Sequence, residues 1–168
     1  MILLFLSVGF SQGADAVLKI EKDVDSRAKI KIFASNKTYK QELASKLFKS
    51  DFKVSGHFLV ENNISIVDFN ILPINLKSSS EYNLVYELKR AGEGAFLDVK
   101  LYRGNPKKLV LRKNYNVTRL EKAPFLIHKA VSDINNYAKF QPIDWINRYV
   151  VLARYIGPRE SEIMLADY

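Results

Sequence analysis

The stretch YNLVYELKRAGEGAFLDVKLYRGNPKKLVLRKNYNV, residues 82–117, decides the fold. It contains three runs rich in β-branched and aromatic residues, which begin at Tyr82, Ala95 and Leu109. The links between them, AGEG and GNPKK, are short and contain glycine, and such links are typical of β-hairpins. The first link lacks the GxGxxG spacing of a phosphate-binding loop, so we interpret it as a turn. The stretch therefore predicts three consecutive antiparallel strands.

The chain before these strands combines another strand with a helix. AKIKIFAS, residues 28–35, alternates apolar and basic side chains with the period of a sheet strand. Asn36 or Thr38 can cap a helix, and apolar residues then recur at helical spacing until Ser50 and Asp51. A strand-like stretch is expected at residues 52–60. Residues 61–80 show no clear period, and Pro73 and a serine run favour a loop there.

A second helix is predicted within LEKAPFLIHKAVSDINNYAKF, residues 120–140, because Pro124 suits a first helical turn and apolar residues recur on one face. That face would carry Phe125, Ile127, Ala130, Val131, Ile134 and Tyr137. Together these elements predict an α+β fold, a small mixed and mostly antiparallel sheet with two main helices packed on it.

The closing stretch WINRYVVLARYIGPRESEIMLADY, residues 145–168, predicts a separate hairpin. Its strands would cover residues 149–156 and 162–167, with a turn at Gly157, Pro158 and Arg159. A lone two-stranded sheet is at best marginally stable in water. We therefore expect this hairpin to need further partner strands.

The first ten residues, MILLFLSVGF, carry no charged side chain and lead into SQGADA, which is rich in small residues. An apolar run too short to span a bilayer, followed by small residues, is typical of a secretory signal peptide. Cleavage is expected after Ala16, where Ala14 completes the A-x-A pattern, with Gly13 as a second choice. A buried strand or a membrane anchor is the alternative interpretation. We expect an exported protein without stable membrane insertion after cleavage.

Composition limits the possible classes of protein. The 168 residues include no cysteine, which excludes disulfides and thiolate metal sites. A net charge of +8 and a pI near 9.5 would suit a basic binding module for nucleic acid or an anionic lipid surface. However, the basic residues mostly alternate with apolar ones, as on the solvent face of half-buried strands. We predict no nucleic-acid partner and keep the basic module as the alternative.

Catalysis has little support in the sequence. The histidines are His57 and His128, far apart in the chain, and no G-x-S-x-G nucleophile motif accompanies them. A metal site would need several ligands at short fixed spacings. Packed or surface roles are expected for both histidines, and an enzyme would have to combine His128 with a carboxylate such as Asp133. We predict no enzyme and no cofactor.

Several stretches resemble, in order, patterns of the TolB family of the Tol-Pal envelope system. VDS, residues 24–26, is similar to the end of the mature amino-terminal segment of that family. ELASKLFKSDF, residues 42–52, resembles its first helix. VKLYRGNPKKLVLRKNY, residues 99–115, resembles a family hairpin, with Arg103 where aspartate is common.

The resemblance continues to the end of the chain. His128 begins a helical stretch similar to H-x-x-x-D-x-I, although the acidic residue is shifted to Asp133. NRYV, residues 147–150, resembles the T-R-I-A-Y strand of the family. SEIMLADY, residues 161–168, is similar to the Y-E-L-x-x-x-D-Y strand that begins its β-propeller.

The resemblance implies four parts in the chain. These are a signal peptide at 1–16, a partner-binding segment at 17–26, an α/β domain at 27–144, and the first strands of a propeller at 145–168. It also implies a periplasmic scaffold without catalysis, which supports outer-membrane integrity and envelope constriction at division. The partner-binding segment would contact the carboxy-terminal domain of TolA, and Pal would be contacted only through the propeller, which is absent here.

An extended peptide with alternating apolar residues can add to an exposed sheet edge through its main chain. In this segment Leu18 and Ile20 would fill pockets of the partner, while charged neighbours would set its orientation. The alternative is that the segment is the first strand of the domain's own sheet. The predicted partner-binding residues are Val17, Leu18, Lys19, Ile20, Glu21, Lys22, Asp23, Val24, Asp25 and Ser26.

Overall fold

The structure is a computed structural model that describes residues 27–167. Two helices and eight strands form within this range. In chain order they are β1 (Ala28–Ser35), α1 (Gln41–Ser55), β2 (Phe58–Val60), β3 (Ser65–Val67), β4 (Tyr82–Ala91), β5 (Gly94–Arg103), β6 (Lys108–Val117), α2 (Ala123–Tyr137), β7 (Tyr149–Gly157) and β8 (Glu160–Asp167).

The main sheet has the strand order β2-β1-β4-β5-β6, and β3 also pairs with β1. The three strands predicted from residues 82–117 are confirmed as two antiparallel hairpins, in which Leu84 lies opposite Leu101 and Leu97 lies opposite Tyr115. β1 is parallel to β2, β3 and β4, and Ile32 lies opposite Leu84. The sheet is therefore mixed.

Both helices cover one face of this sheet. The alternating apolar residues of β1, β4 and β5 meet the apolar faces of α1 and α2 in one core. Fully buried members of this core include Ile30, Ile32, Phe48, Phe52, Leu84, Leu97, Leu101, Ile127, Val131 and Ile134. Burying such side chains is the main stabilising contribution to the fold. The predicted α+β class is confirmed.

The opposite face of the sheet is covered by the segment between β2 and β4. Phe69 and Leu76 from this segment pack on Phe33, Val85 and Tyr102 of the sheet. The sequence predicted only a loop here. The segment also contains β3 and a short 3-10 turn at Pro73–Asn75.

The predicted limits of α1 were wrong at both ends. The helix begins after Lys40, without a side-chain cap from Asn36 or Thr38. It continues to Ser55 and ends at Gly56, which adopts a φ of 69°, a conformation that glycine tolerates without strain. The predicted strand-like stretch at residues 52–60 is therefore wrong before Phe58, because Phe52 is a fully buried residue of the helix.

The predicted apolar face of α2 is largely correct. Ile127, Ala130, Val131 and Ile134 are buried, whereas Tyr137 is 38% exposed. The helix also buries polar side chains that the apolar pattern did not include, namely His128, Ser132 and Asn135.

The terminal hairpin forms its own two-stranded sheet of β7 and β8. Its register pairs Val150 with Ala166 and Leu152 with Met164. Large apolar side chains stay exposed on it, including Val151 at 65%, Tyr155 at 85% and Ile163 at 78%. The prediction of a separate hairpin is confirmed.

Candidate functional site

The predicted partner-binding residues 17–26 lie outside the described part of the chain, so their role stays a prediction. The structure does place the strand that follows them. β1 pairs with β2 from Ala28 and with β4 from Ile30. The segment therefore joins the domain at the beginning of an inner strand.

A buried pair joins the two helices. Nδ1 of His128 on α2 lies 2.7 Å from Oδ2 of Asp51 on α1, and the two side chains are 0% and 4% exposed. At this depth the pair is positioned to hold the two helices together. Asp133, which the sequence suggested as a partner of His128, instead contacts residues of β6.

Asp133 connects α2 to the strand β6. Lys113 Nζ donates a hydrogen bond of 2.8 Å to Oδ2 of Asp133, and the Tyr115 hydroxyl donates one of 2.7 Å to the same oxygen. Burial, together with the neighbouring Asp133 carboxylate, raises the pKa of Tyr115 well above its ordinary value. These contacts fix the position of α2 along β6.

His57 also packs within the fold. Its Nδ1 lies 2.8 Å from Oδ1 of Asn135, and its ring stacks on Phe140 with 5.1 Å between centroids. The two histidines are thus in separate contacts. They do not combine into one site.

The loop-covered face of the sheet holds a second set of charges. Ser35 Oγ donates a hydrogen bond of 2.7 Å to Oε1 of Glu87, and Lys89 pairs with the same carboxylate. Burial alone would raise the pKa of Glu87, but the hydrogen bonds from Lys89 and Ser35 outweigh it and lower the pKa. The carboxylate is therefore held in its charged form by partners within the fold.

Lys100 anchors the covering segment on the same face. Its Nζ donates a hydrogen bond of 2.9 Å to the Phe69 carbonyl and lies 4.1 Å from the centre of the Phe69 ring. Burial and the nearby Arg112 lower the pKa of Lys100. This lysine stabilises the covering loop.

Residues 27–167 bring together no set of metal ligands and contain no helix that could span a membrane. Over this range, no three carboxylate or imidazole side chains come together as a metal site. Within the same residues, neither helix has the length and apolar character needed to cross a bilayer.

The far edge of the main sheet carries a groove. β6 is the last strand in the sheet order, and α2 runs beside it. Between the two lies a cavity of about 360 Å³, lined by Asn114, Tyr115, Asn116, Val117, Phe125, Leu126 and Lys129. Lys129 is exposed at its rim. Sequence reasoning missed this groove.

A signal for the edge was present in the sequence. β6 reads KLVLRKNYNV, which has three basic residues and no acidic one. A charged strand of this kind is typical of a sheet edge. The groove itself could not be predicted, because it depends on where α2 packs.

Taken together, the described residues define a small α+β domain with a separate β-hairpin after it. No family model matches the chain. The Tol-Pal system protein TolB of Wolinella succinogenes is 36% identical to it over an alignment that covers 99% of this chain and 42% of the relative. The corresponding protein of Helicobacter hepaticus is 30% identical, with 100% and 41% covered.

Part of a solved structure of TolB from Acinetobacter baumannii has the same fold as this chain. It matches with a TM-score of 0.64 and 16% sequence identity, over 84% of this chain and 36% of that protein. The chain belongs to the TolB family of Tol-Pal system proteins. It spans about two fifths of the length of the curated relatives that it matches.

Proposed function

We propose that the chain provides a periplasmic adaptor domain of the Tol-Pal system, which acts through protein contacts and not through catalysis. The observation that carries this proposal is the similarity, over nearly its whole length, to relatives named Tol-Pal system protein TolB. The apolar beginning of the sequence supports export by a signal peptide at residues 1–16. The buried positions of His128 and Asp51 are consistent with a structural role for that pair.

The contact with the carboxy-terminal domain of TolA is assigned to residues 17–26. This segment alternates apolar and charged residues, as a strand added to a partner's sheet would. β1 already has neighbours on both sides, with β2 and β3 on one and β4 on the other. Because β1 is already paired on both sides, residues 17–26 are not needed to complete the sheet around it. This supports the proposal that they are available to a partner.

Calorimetry can test this contact. The chain and a variant that lacks residues 17–23 are titrated with the TolA carboxy-terminal domain, and deletion is expected to abolish the heat of binding. A variant with the same residues in scrambled order controls for the length of the segment and should also fail to bind. Undiminished binding by the deletion variant would refute the assignment, provided that circular dichroism shows an unchanged fold.

The terminal hairpin is assigned to the start of a β-propeller in a longer protein, through which Pal would be contacted. Its exposed Val151, Tyr155 and Ile163 support this, because large apolar side chains on a two-stranded sheet suit burial against further strands. In a protein extended to the length of the relatives, backbone amides of residues 149–167 should exchange with deuterium far more slowly than in the present chain. Equal exchange rates in both proteins would contradict the assignment.

A role in outer-membrane integrity and in envelope constriction at division belongs to the same proposal. Cells that carry the protein without residues 17–23 should leak periplasmic enzymes and constrict late. Normal retention and timing, at normal protein levels, would count against that role.

The basic binding module is the weaker alternative. It is favoured by the net charge of +8, but several cations already pair with carboxylates, as Arg103 does with Glu81 and Lys113 with Asp133. Such a module would bind short RNA or anionic vesicles with an affinity that falls steeply as salt rises. The adaptor proposal predicts no saturable binding of either at low salt.

A further inference from the structure

The groove beside β6 has the form of a second binding site, distinct from residues 17–26. β6 contains ten residues and ends the sheet, with no described strand on its far side. The outer edge of such a strand presents backbone N–H and C=O groups that have no partner in the sheet. An extended peptide can satisfy them by adding one more strand.

The second wall of the groove is the flank of α2. The contacts of Asp133 with Lys113 and Tyr115 hold this helix alongside the strand. Nearer the beginning of the helix, Phe125 reaches the Tyr149 ring at 4.8 Å between centroids. A strand edge with a helix beside it offers both main-chain hydrogen bonds and a pocket for a side chain. Here the pocket is of mixed character, with Val117, Phe125 and Leu126 beside Asn114 and Asn116.

Charge indicates which peptide suits the groove. β6 carries the exposed Lys108 and Arg112 and no acidic residue, and the exposed Lys129 adds a third cation from α2. Lys113 of the same strand is already paired with Asp133. The nearby Asp133 already accepts hydrogen bonds from two of its neighbours. Two copies of β6 placed edge to edge would bring like charges together, which is unfavourable.

We propose that the edge of β6 and the flank of α2 bind an extended peptide strand that carries acidic side chains. The peptide pairs with β6 through its main chain. One apolar side chain enters the pocket at Val117 and Phe125, and an acidic side chain two positions away, on the same face of the peptide, lies toward Lys129. Acidic side chains on the other face of the peptide lie toward Arg112. This site does not depend on the TolA contact, because it uses none of residues 17–26.

The probe is an acetylated eight-residue peptide in which pairs of valines alternate with pairs of glutamates, so that each face of the extended peptide carries both residue types. It is titrated into the isotopically labelled chain, and backbone amide signals are followed by NMR. The expected result is saturable binding, with shifts concentrated at residues 114–117 and on the groove side of α2. Raising the salt concentration should weaken the binding, because the charges involved are exposed.

Matched variants test the charge contribution. Lys129→Glu should weaken peptide binding about fivefold, the upper range for one exposed ion pair. Lys46→Glu makes the same charge change at an exposed position of α1 and should leave the affinity unchanged. A control peptide with lysine in place of glutamate should not bind.

Four outcomes would overturn the proposal. The lysine peptide could bind as well as the glutamate peptide, the shifts could fall away from β6 and α2, or no peptide could bind. Amide signals of β6 that change with protein concentration alone would instead show pairing with a second copy, and that result would also overturn it. Loss of the TolA contact on deletion of residues 17–23, with peptide binding intact, separates the two sites.

Discussion

At the scale of single residues, the pair of His128 and Asp51 explains why two polar side chains lie between the helices. Both are buried, and Nδ1 of His128 lies within hydrogen-bond distance of Oδ2 of Asp51 at 2.7 Å. Removing one partner leaves the other buried without this hydrogen bond, which is costly. His128→Ala is therefore expected to lower the free energy of unfolding by about 3 kcal/mol.

Urea denaturation measures this change. Lys129→Ala, at the next position of α2 but exposed, serves as the control and should shift stability by no more than about 0.5 kcal/mol. If His128→Ala costs no more than the control, the pair does not join the helices as described.

Because Tyr86 is buried, we expect the folded chain to lose stability at alkaline pH. Burial raises its pKa from 10.0 to about 12, although the hydrogen bond with Ser45 acts in the opposite direction. The folded chain thus keeps this proton to a higher pH than the unfolded chain does. The resulting stabilisation is complete below pH 10.0 and is lost as the pH rises toward about 12.

Tyr86→Phe should flatten this alkaline decline, because phenylalanine has no proton to lose. Urea midpoints measured at several pH values above neutrality provide the comparison with the unsubstituted chain. Equal slopes for both proteins would show that Tyr86 does not contribute to the alkaline decline.

At the scale of the elements, residues 61–80 act as the cover of the second face of the sheet. Leu76 is 2% exposed against Phe33 and Val85, whereas the nearby Ile74 is 86% exposed. Leu76→Ala should lower the free energy of unfolding by about 3 kcal/mol, the cost of a buried large-to-small change. Ile74→Ala removes a similar side chain from the same segment and should change stability by less than about 0.5 kcal/mol.

Thermal or urea unfolding of the Leu76→Ala and Ile74→Ala variants tests whether residues 61–80 pack on the sheet. Similar small effects for both would mean that the segment is not packed on the sheet.

The elements also show what sequence patterns can predict. Strands β4, β5 and β6 were predicted because local alternation and short glycine links determine a hairpin. The end of α1 was missed because Asp51 looks like a helix terminator in sequence, whereas in the fold its carboxyl meets His128 of α2. The parallel pairing of β1 was not predicted, since its partners are distant in sequence.

At the scale of the whole molecule, the sequence predicted a compact α+β domain, a separate hairpin and the family. The groove beside β6 was not predictable, because it arises only when α2 packs along an edge strand. The exposed apolar residues of the hairpin and the open edge of β6 are two separate surfaces. Each is proposed to make a different contact. The proposed TolA contact uses neither surface.

The most direct test of the adaptor proposal is an NMR titration of the isotopically labelled chain with the TolA carboxy-terminal domain. We predict that the amide signals of residues 17–26 and of the first residues of β1 change on binding. Those of residues 114–117 should stay in place. Unchanged signals at residues 17–26, with or without changes elsewhere in the domain, would contradict the proposal.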